Sequence, residues 1–319
     1  MSPSVIIGII FSLVLAVQSE APQCPPAKDI YPCYCTGDHW LTSVGCEGLG
    51  SLEKAYPALK NTKGQNMSFA FWKSRLGDIP SDFFEGHQSI NLHFENCQIG
   101  SFGTRPFTGL ENTLKNLFIY GSVNKKRKDL ETFPLGHLKK LESLAFQAND
   151  IKRLGNDWFS GGPESLEYLN LEANDIEELG DKAFASLVNV QQIWLGDNSF
   201  KKVSRSMFPR PANKLKMLEM SFSGYSELPE DMFDDMPALK RVLVSGNKLQ
   251  TVPEATWGRI WNQLDEVYLE RNAGFVCDER LKWIYQRKLP KILTGRCPTS
   301  DNSKLSGKNL SELKLSDFE

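Results

Sequence analysis

Charge of one sign, long apolar runs and histidine are all scarce in this 319-residue chain. Its 37 Lys and Arg against 39 Asp and Glu leave a formal charge of -2, whereas a nucleic-acid binder carries a basic excess. Four histidines occur, His39, His87, His93 and His137, and none stands in an HExxH or zinc-finger spacing. A G-x-S-x-G elbow and a phosphate-binding glycine loop are missing too. No active site, metal or cofactor is expected, so the chain reads as non-enzymatic. The one long apolar stretch, residues 5–17, is too short for a comfortable membrane span and ends in Val17-Gln18-Ser19-Glu20. Small residues sit where a signal peptidase accepts them, placing cleavage after Ser19. Residues 298–319 are polar and carry no anchor signal. The expected mature protein is secreted, without a membrane span and without a nucleic-acid partner. Sequons at Asn66 and Asn309 are expected glycosylation sites in that setting.

What the chain has instead is a period. Leu166, Leu169, Leu171, Asn174, Ile176, Leu179 and Phe184 follow the pattern L-x-x-L-x-L-x-x-N-x-I-x-x-L-x-x-x-x-F, the leucine-rich repeat. The asparagine-type anchor recurs at Ser74, Cys97, Ser122, Asn149, Asn174, Asn198, Ser223, Asn247 and Asn272, at intervals of 23 to 27 residues. Five and three residues before every anchor stands an apolar pair, from Phe69/Phe71 and Leu92/Phe94 to Val242/Val244 and Val267/Leu269. Alternation of this kind makes a short strand with one face inward. A single coil cannot bury that face, so coils stack into a parallel sheet with a continuous core. The expected fold class is α/β, a leucine-rich repeat solenoid of about nine repeats with a curved parallel sheet. Phe84, Phe107, Phe159, Phe184, Phe208, Phe233 and Trp257 are expected to fill the space beneath its convex side. The expected segments are a signal peptide (1–19), an N-terminal cysteine cap (20–66), the solenoid (67–272), a C-terminal cap (273–297) and a polar tail (298–319).

Open solenoid ends expose core and need covers. Cys24, Cys33, Cys35 and Cys46 cluster at one end, and their sequence alone allows three pairings. This cluster resembles the N-terminal cap of extracellular leucine-rich repeat proteins, and the resemblance implies Cys24–Cys35 and Cys33–Cys46. The segment from Asn272 through Cys277, Asp278, Leu281 and Trp283 resembles the family's C-terminal cap. That family carries a second cysteine where Glu279 stands, so one bridge, Cys277–Cys297, is implied. The seventh cysteine, Cys97, is then left at an anchor position, either as a buried thiol or as an intermolecular link.

Residues between and beside the inward pairs line the concave face. Trp72, His93, Glu95, Phe118, Tyr120, Tyr168, Trp194, Phe222 and Tyr268 are the candidate partner-binding residues. Large aromatics there are unusual and favour an interface, and the alternative is that the rings only stack on one another. Acids on that face, Glu95, Glu172, Asp197, Glu219, Glu266 and Glu270, outnumber the bases Lys73, Arg241 and Arg271. A partner with a basic, partly apolar patch suits it. A basic run, Lys125-Lys126-Arg127-Lys128, falls in an insertion before Leu130 and reads as a solvated loop. His93 and Glu95 share one side of a strand, and with no nucleophile beside them they read as a polar contact.

With leader, caps and repeats together, residues 24–297 resemble small secreted arthropod leucine-rich repeat proteins, among them the non-catalytic chain of the decapod shrimp luciferase. That resemblance implies an accessory chain that stabilises a separate oxygenase. Three roles follow as expectations: a secreted binding or scaffold protein, a subunit required by a secreted oxidoreductase complex, and a matrix or adhesion ligand. The expected partner is an extracellular protein, extending to a separate catalytic chain.

Overall fold

The structure, a computed structural model, describes residues 23–37, 42–123, 133–299 and 304–319. The proposed leader and its cleavage site, His39 and the basic run at residues 125–128 lie outside them. In chain order the elements are α1 (Ala27–Ile30), β1 (Tyr34–Gly37), β2 (Thr42–Glu47), α2 (Tyr56–Thr62), β3 (Ser68–Trp72), β4 (Arg75–Asp78), β5 (Asn91–Glu95) and β6 (Gln98–Ser101). There follow β7 (Asn116–Tyr120), β8 (Ser143–Gln147), β9 (Arg153–Leu154), β10 (Tyr168–Asn170), β11 (Glu178–Leu179), β12 (Gln192–Trp194) and β13 (Met217–Glu219). The C-terminal part holds β14 (Arg241–Leu243), α3 (Glu254–Trp257), β15 (Glu266–Tyr268), α4 (Lys282–Tyr285) and β16 (Ile292–Thr294).

One twelve-stranded sheet runs β1-β2-β3-β5-β7-β8-β10-β12-β13-β14-β15-β16. It is parallel from β2 onward, and only β1 pairs antiparallel. The nine expected repeat strands are all present, and the inward residues face one another in register: Leu144 with Leu169, Leu169 with Ile193, and Ile193 with Leu218. These side chains are fully buried. The convex rings from Phe84 to Trp257 are buried as well. They form a spine in which Phe159, Phe184 and Phe208 follow at 6.2 and 5.7 Å.

Each anchor asparagine joins two coils. Asn149 Oδ1 accepts from the N–H of Ser122 at 2.9 Å, and its Nδ2 donates to the carbonyl oxygens of Ile119 and Gln147. Asn174 repeats this one coil on: Oδ1 accepts from Asn149 N–H, and Nδ2 donates to Phe146 O. Buried backbone groups at the turn would otherwise lack partners, which costs about 1–3 kcal/mol each. Cys97 fills the same position with a smaller donor: its Sγ lies 3.3 Å from Phe71 O. It is free and buried, and burial pushes the thiol above its usual pKa.

The sheet does not stop where the repeats were expected to. Val44 and Cys46 occupy the two inward positions of β2, and Leu293 that of β16, so each cap contributes a strand. Twelve strands at ~4.8 Å spacing span about 53 Å. The N-terminal cap carries both bridges the resemblance implied, Cys24–Cys35 and Cys33–Cys46. It is clipped to the first coil by His87, whose ring nitrogens lie 2.9 Å from Leu59 O in α2 and 3.1 Å from Phe84 O. At the other end Cys277–Cys297 is closed, and Trp283 packs on Trp261 while its Nε1 donates to Val252 O.

The stretch read as a polar tail is folded onto this cap. Leu305, Leu310, Leu313 and Phe318 are buried, the Tyr285 and Phe318 rings stack at 5.2 Å, and Leu310 N–H donates to Gly295 O. These apolar residues come at uneven spacing, with no period to betray them among polar neighbours. Among the described residues no helix is long and apolar enough to cross a membrane.

Candidate functional site

Parallel strands with a two-residue alternation send every second side chain to the open face of the sheet. Because the repeat strands from β3 to β15 are in register, the residues between their inward pairs form one row: Ala70, His93, Phe118, Ala145, Asn170, Trp194, Glu219, Leu243 and Tyr268. The candidate binding residues lie on or beside this row. They do not form one strip.

The first group spans β1 to β7. Tyr34 stacks on Trp72 with ring centres 6.4 Å apart, Trp72 meets His93 at 5.9 Å, His93 meets Phe118 at 4.4 Å, and Phe118 stacks on Tyr120 at 6.3 Å. His93 Nε2 lies 3.1 Å from Glu95 Oε2, the pair expected from their i and i+2 spacing. Lys73 Nζ bonds Glu47 Oε1 at 3.0 Å, and the contact raises the lysine's pKa. Asn116 donates to Asn91, and Asn91 donates to Ser68, completing a polar ladder at the strand entrances. Tyr34 was not among the candidates. Its sequence signal is Gly45, the residue level with Ala70: a Cβ there would come within 2.6 Å of the Tyr34 ring and 2.8 Å of Trp72.

Ala145 interrupts the rings, and the second group begins at β10. Tyr168 and Trp194 approach at 6.5 Å. Asn170 donates to Glu172 Oε2 at 2.7 Å, and Gln147 donates to the same oxygen at 3.1 Å. Asn170 and Glu219 are buried, although both hold open-face positions. Glu219 Oε1 accepts from Ser221 N–H at 2.8 Å, while Oε2 is buried without a hydrogen-bond partner. Trp194 Nε1, one strand away in register, is also buried and unpartnered. Burial raises the Glu219 pKa above the ordinary 4.5 and nearby Glu172 adds to the rise, outweighing the opposing Ser221 hydroxyl and the N–H groups of Ser221 and Gly196.

Phe222 and Tyr268 stand apart from both groups. The Phe222 ring lies where a Cβ on Gly246 would sit, and it remains exposed. Tyr268 donates to Glu266 Oε2, which also accepts from Arg241 Nε at 2.8 Å. Asn66 and Asn309 are exposed, the first just before β3 and the second at a turn of the C-terminal cap.

The family model described as Leucine rich repeat matches residues 139–200, in the middle of this sheet. The chain is a leucine-rich repeat solenoid. Among curated proteins the solenoid is 24% identical, over 249 residues, to the Oplophorus-luciferin 2-monooxygenase non-catalytic subunit of Oplophorus gracilirostris. That match covers 75% of this chain and 66% of the subunit. It is 31% identical over 146 residues to osteomodulin of Bos taurus, covering 46% of this chain and 33% of osteomodulin. The solenoid therefore spans just under two thirds of the first relative and a third of the second. Among solved structures it resembles a chain in the octameric complex of latrophilin 3, Unc5D and FLRT2, with TM-score 0.62, 16% identity and coverage of 82% and 84%. A Leptospira interrogans leucine-rich repeat protein gives TM-score 0.60, 18% identity and coverage of 81% and 62%. At those identities the solenoid shares fold, and fold alone, with the two structures.

Proposed function

We propose that this solenoid is a secreted, non-catalytic binding protein that holds a protein partner on its concave face and acts as the accessory chain of a complex. The observation that carries this reading is the concave centre, where a large ring and two acids lie side by side on the open face of the sheet and two of their polar atoms are buried without a partner. A docked partner can supply the missing hydrogen bonds, and aromatic residues of this kind dominate binding energy at interfaces. Three disulfides suit an oxidising, extracellular setting. Glycans at exposed Asn66 and Asn309 would lie clear of the central strands. The relative named as a non-catalytic subunit supports an accessory role rather than an enzymatic one.

The test is affinity capture from the native secretion with the tagged mature chain. Trp194→Ala is expected to abolish capture while the unfolding midpoint moves by no more than a few degrees. A parallel collapse in stability would instead make the ring structural. The same likeness favours a narrower second reading, a subunit required by a secreted oxidoreductase. It predicts a stoichiometric second chain with oxidase or oxygenase activity in the captured material, and a clean monomer in the secretion would sink it.

A further inference from the structure

The middle of the concave sheet is electrostatically one-sided. The open-face positions of β8, β10, β12 and β13, continued to the second residue beyond β10, β12 and β13, carry Glu172 and Glu219 and no lysine or arginine. Asp197 adds a third acid at the corner after β12 and is exposed. Elsewhere on this face Glu47 has Lys73 and Glu266 has Arg241, while Glu95 pairs with His93 and Glu270 accepts from the Ser245 hydroxyl. Glu172 has only amide donors, from Asn170 and Gln147, and both go to its Oε2. Glu219 accepts from Ser221 N–H on Oε1 and has the Ser221 hydroxyl and Gly196 N–H close by, yet its Oε2 makes no full hydrogen bond among the described residues, although the residue is only 5% exposed.

Burying a carboxylate beside another carboxylate, with an oxygen unpaired, destabilises a fold. Glutamine at Glu219 would fill the same space without the charge. The chain instead makes room for the acid, because a Cβ at Gly196 would stand 2.4 Å from Glu219 Oε2. Beside this carboxylate lies the Trp194 indole, in register on the neighbouring strand. A flat ring next to two under-bonded carboxylates matches a guanidinium, which stacks on indole and presents several N–H donors in one plane. The free indole N–H calls for an acceptor, and the backbone carbonyl of an incoming peptide supplies one.

We infer that Glu172, Glu219 and Trp194 form a socket for an arginine side chain of the protein partner. The inference rests on the concave-face reading above and names the chemistry recognised there. Docking gives both carboxylates the cation that no described residue provides.

The probe is octa-arginine, with octa-citrulline as its uncharged isostere, titrated into the mature chain at moderate salt. Octa-arginine is expected to bind at least tenfold more tightly than octa-citrulline and to perturb tryptophan fluorescence. Glu172→Gln/Glu219→Gln should weaken octa-arginine at least tenfold. Glu227→Gln/Glu230→Gln removes the same charge at exposed positions elsewhere and should change it less than twofold. Equal losses in the two double variants would show diffuse attraction and overturn the socket, as would equal binding of the two peptides. Glu219→Gln alone should raise the unfolding midpoint, separating this role from a structural one, and a fall would also overturn it. If the socket variants keep octa-arginine binding while Trp194→Ala still abolishes partner capture, the socket fails and the concave binding face stands.

Discussion

From β1 to β7 the concave sheet satisfies itself, and from β10 to β13 it does not. In the first region five rings touch in sequence, Glu95 has His93, Glu47 has Lys73, and the amides of Asn91 and Asn116 are engaged. In the second, an indole N–H and a carboxylate oxygen are buried with nothing to bond. From β3 onward the strands run parallel and in register, so their relative placement does not make the difference. Side-chain choice does. Groups that meet one another stabilise the free chain, while groups left waiting mark where its surface is complementary to something else.

The comparison breaks most readily at its packed end. Phe118→Ala should lower the unfolding free energy by about 2 kcal/mol in chemical denaturation, since the ring bridges His93 and Tyr120. A loss below roughly 0.5 kcal/mol, the ordinary range for a surface change, would make those rings free binding surface instead.

The opposite sign is expected at the unsatisfied end, where Glu219→Gln should stabilise the chain by about 1 kcal/mol at pH 7. Its pH dependence sharpens the point. The raised native pKa means that the folded chain holds the Glu219 proton more tightly than the unfolded chain does. The stability this provides is complete below the unfolded value near 4.5 and is lost as pH rises through the native value. The advantage of glutamine should therefore shrink toward pH 4, as thermal melts at the two pH values would report.

Gly196→Ala should cost less, about 0.5 kcal/mol, by driving the Glu219 carboxyl out of its place. An unchanged carboxyl position in a structure of that variant would contradict the crowding. Smallest of all is Lys73→Met, which removes an exposed ion pair and should leave the melting midpoint where it was.

Much of this architecture can be read from the chain. The apolar pairs and anchors locate nine strands because the solenoid repeats one physical requirement, an inward face that needs a neighbour. Both caps were recognisable by cysteine spacing, yet their strands were not. Cys46 is at once an inward strand residue and half of a bridge, and only the second role is conspicuous in the sequence. The buried residues 305, 310, 313 and 318 follow no period. At the candidate site, residue types announce rings and acids on one face, but not which of them find partners. Glu95 and Glu219 look equivalent in sequence, and only the fold shows that one has a histidine beside it and the other has a bare oxygen.

Cys97 offers something of a different kind. Its thiol is sealed beneath the third strand of the sheet, bonded to Phe71 O, and it is the one cysteine not tied into a bridge. A thiol reagent can reach it only when the coil around it opens, so the rate of labelling in the native chain measures how often that coil opens. Labelling read with and without a bound partner would then report whether occupancy of the concave centre is felt three or more coils away, with no probe added to the molecule.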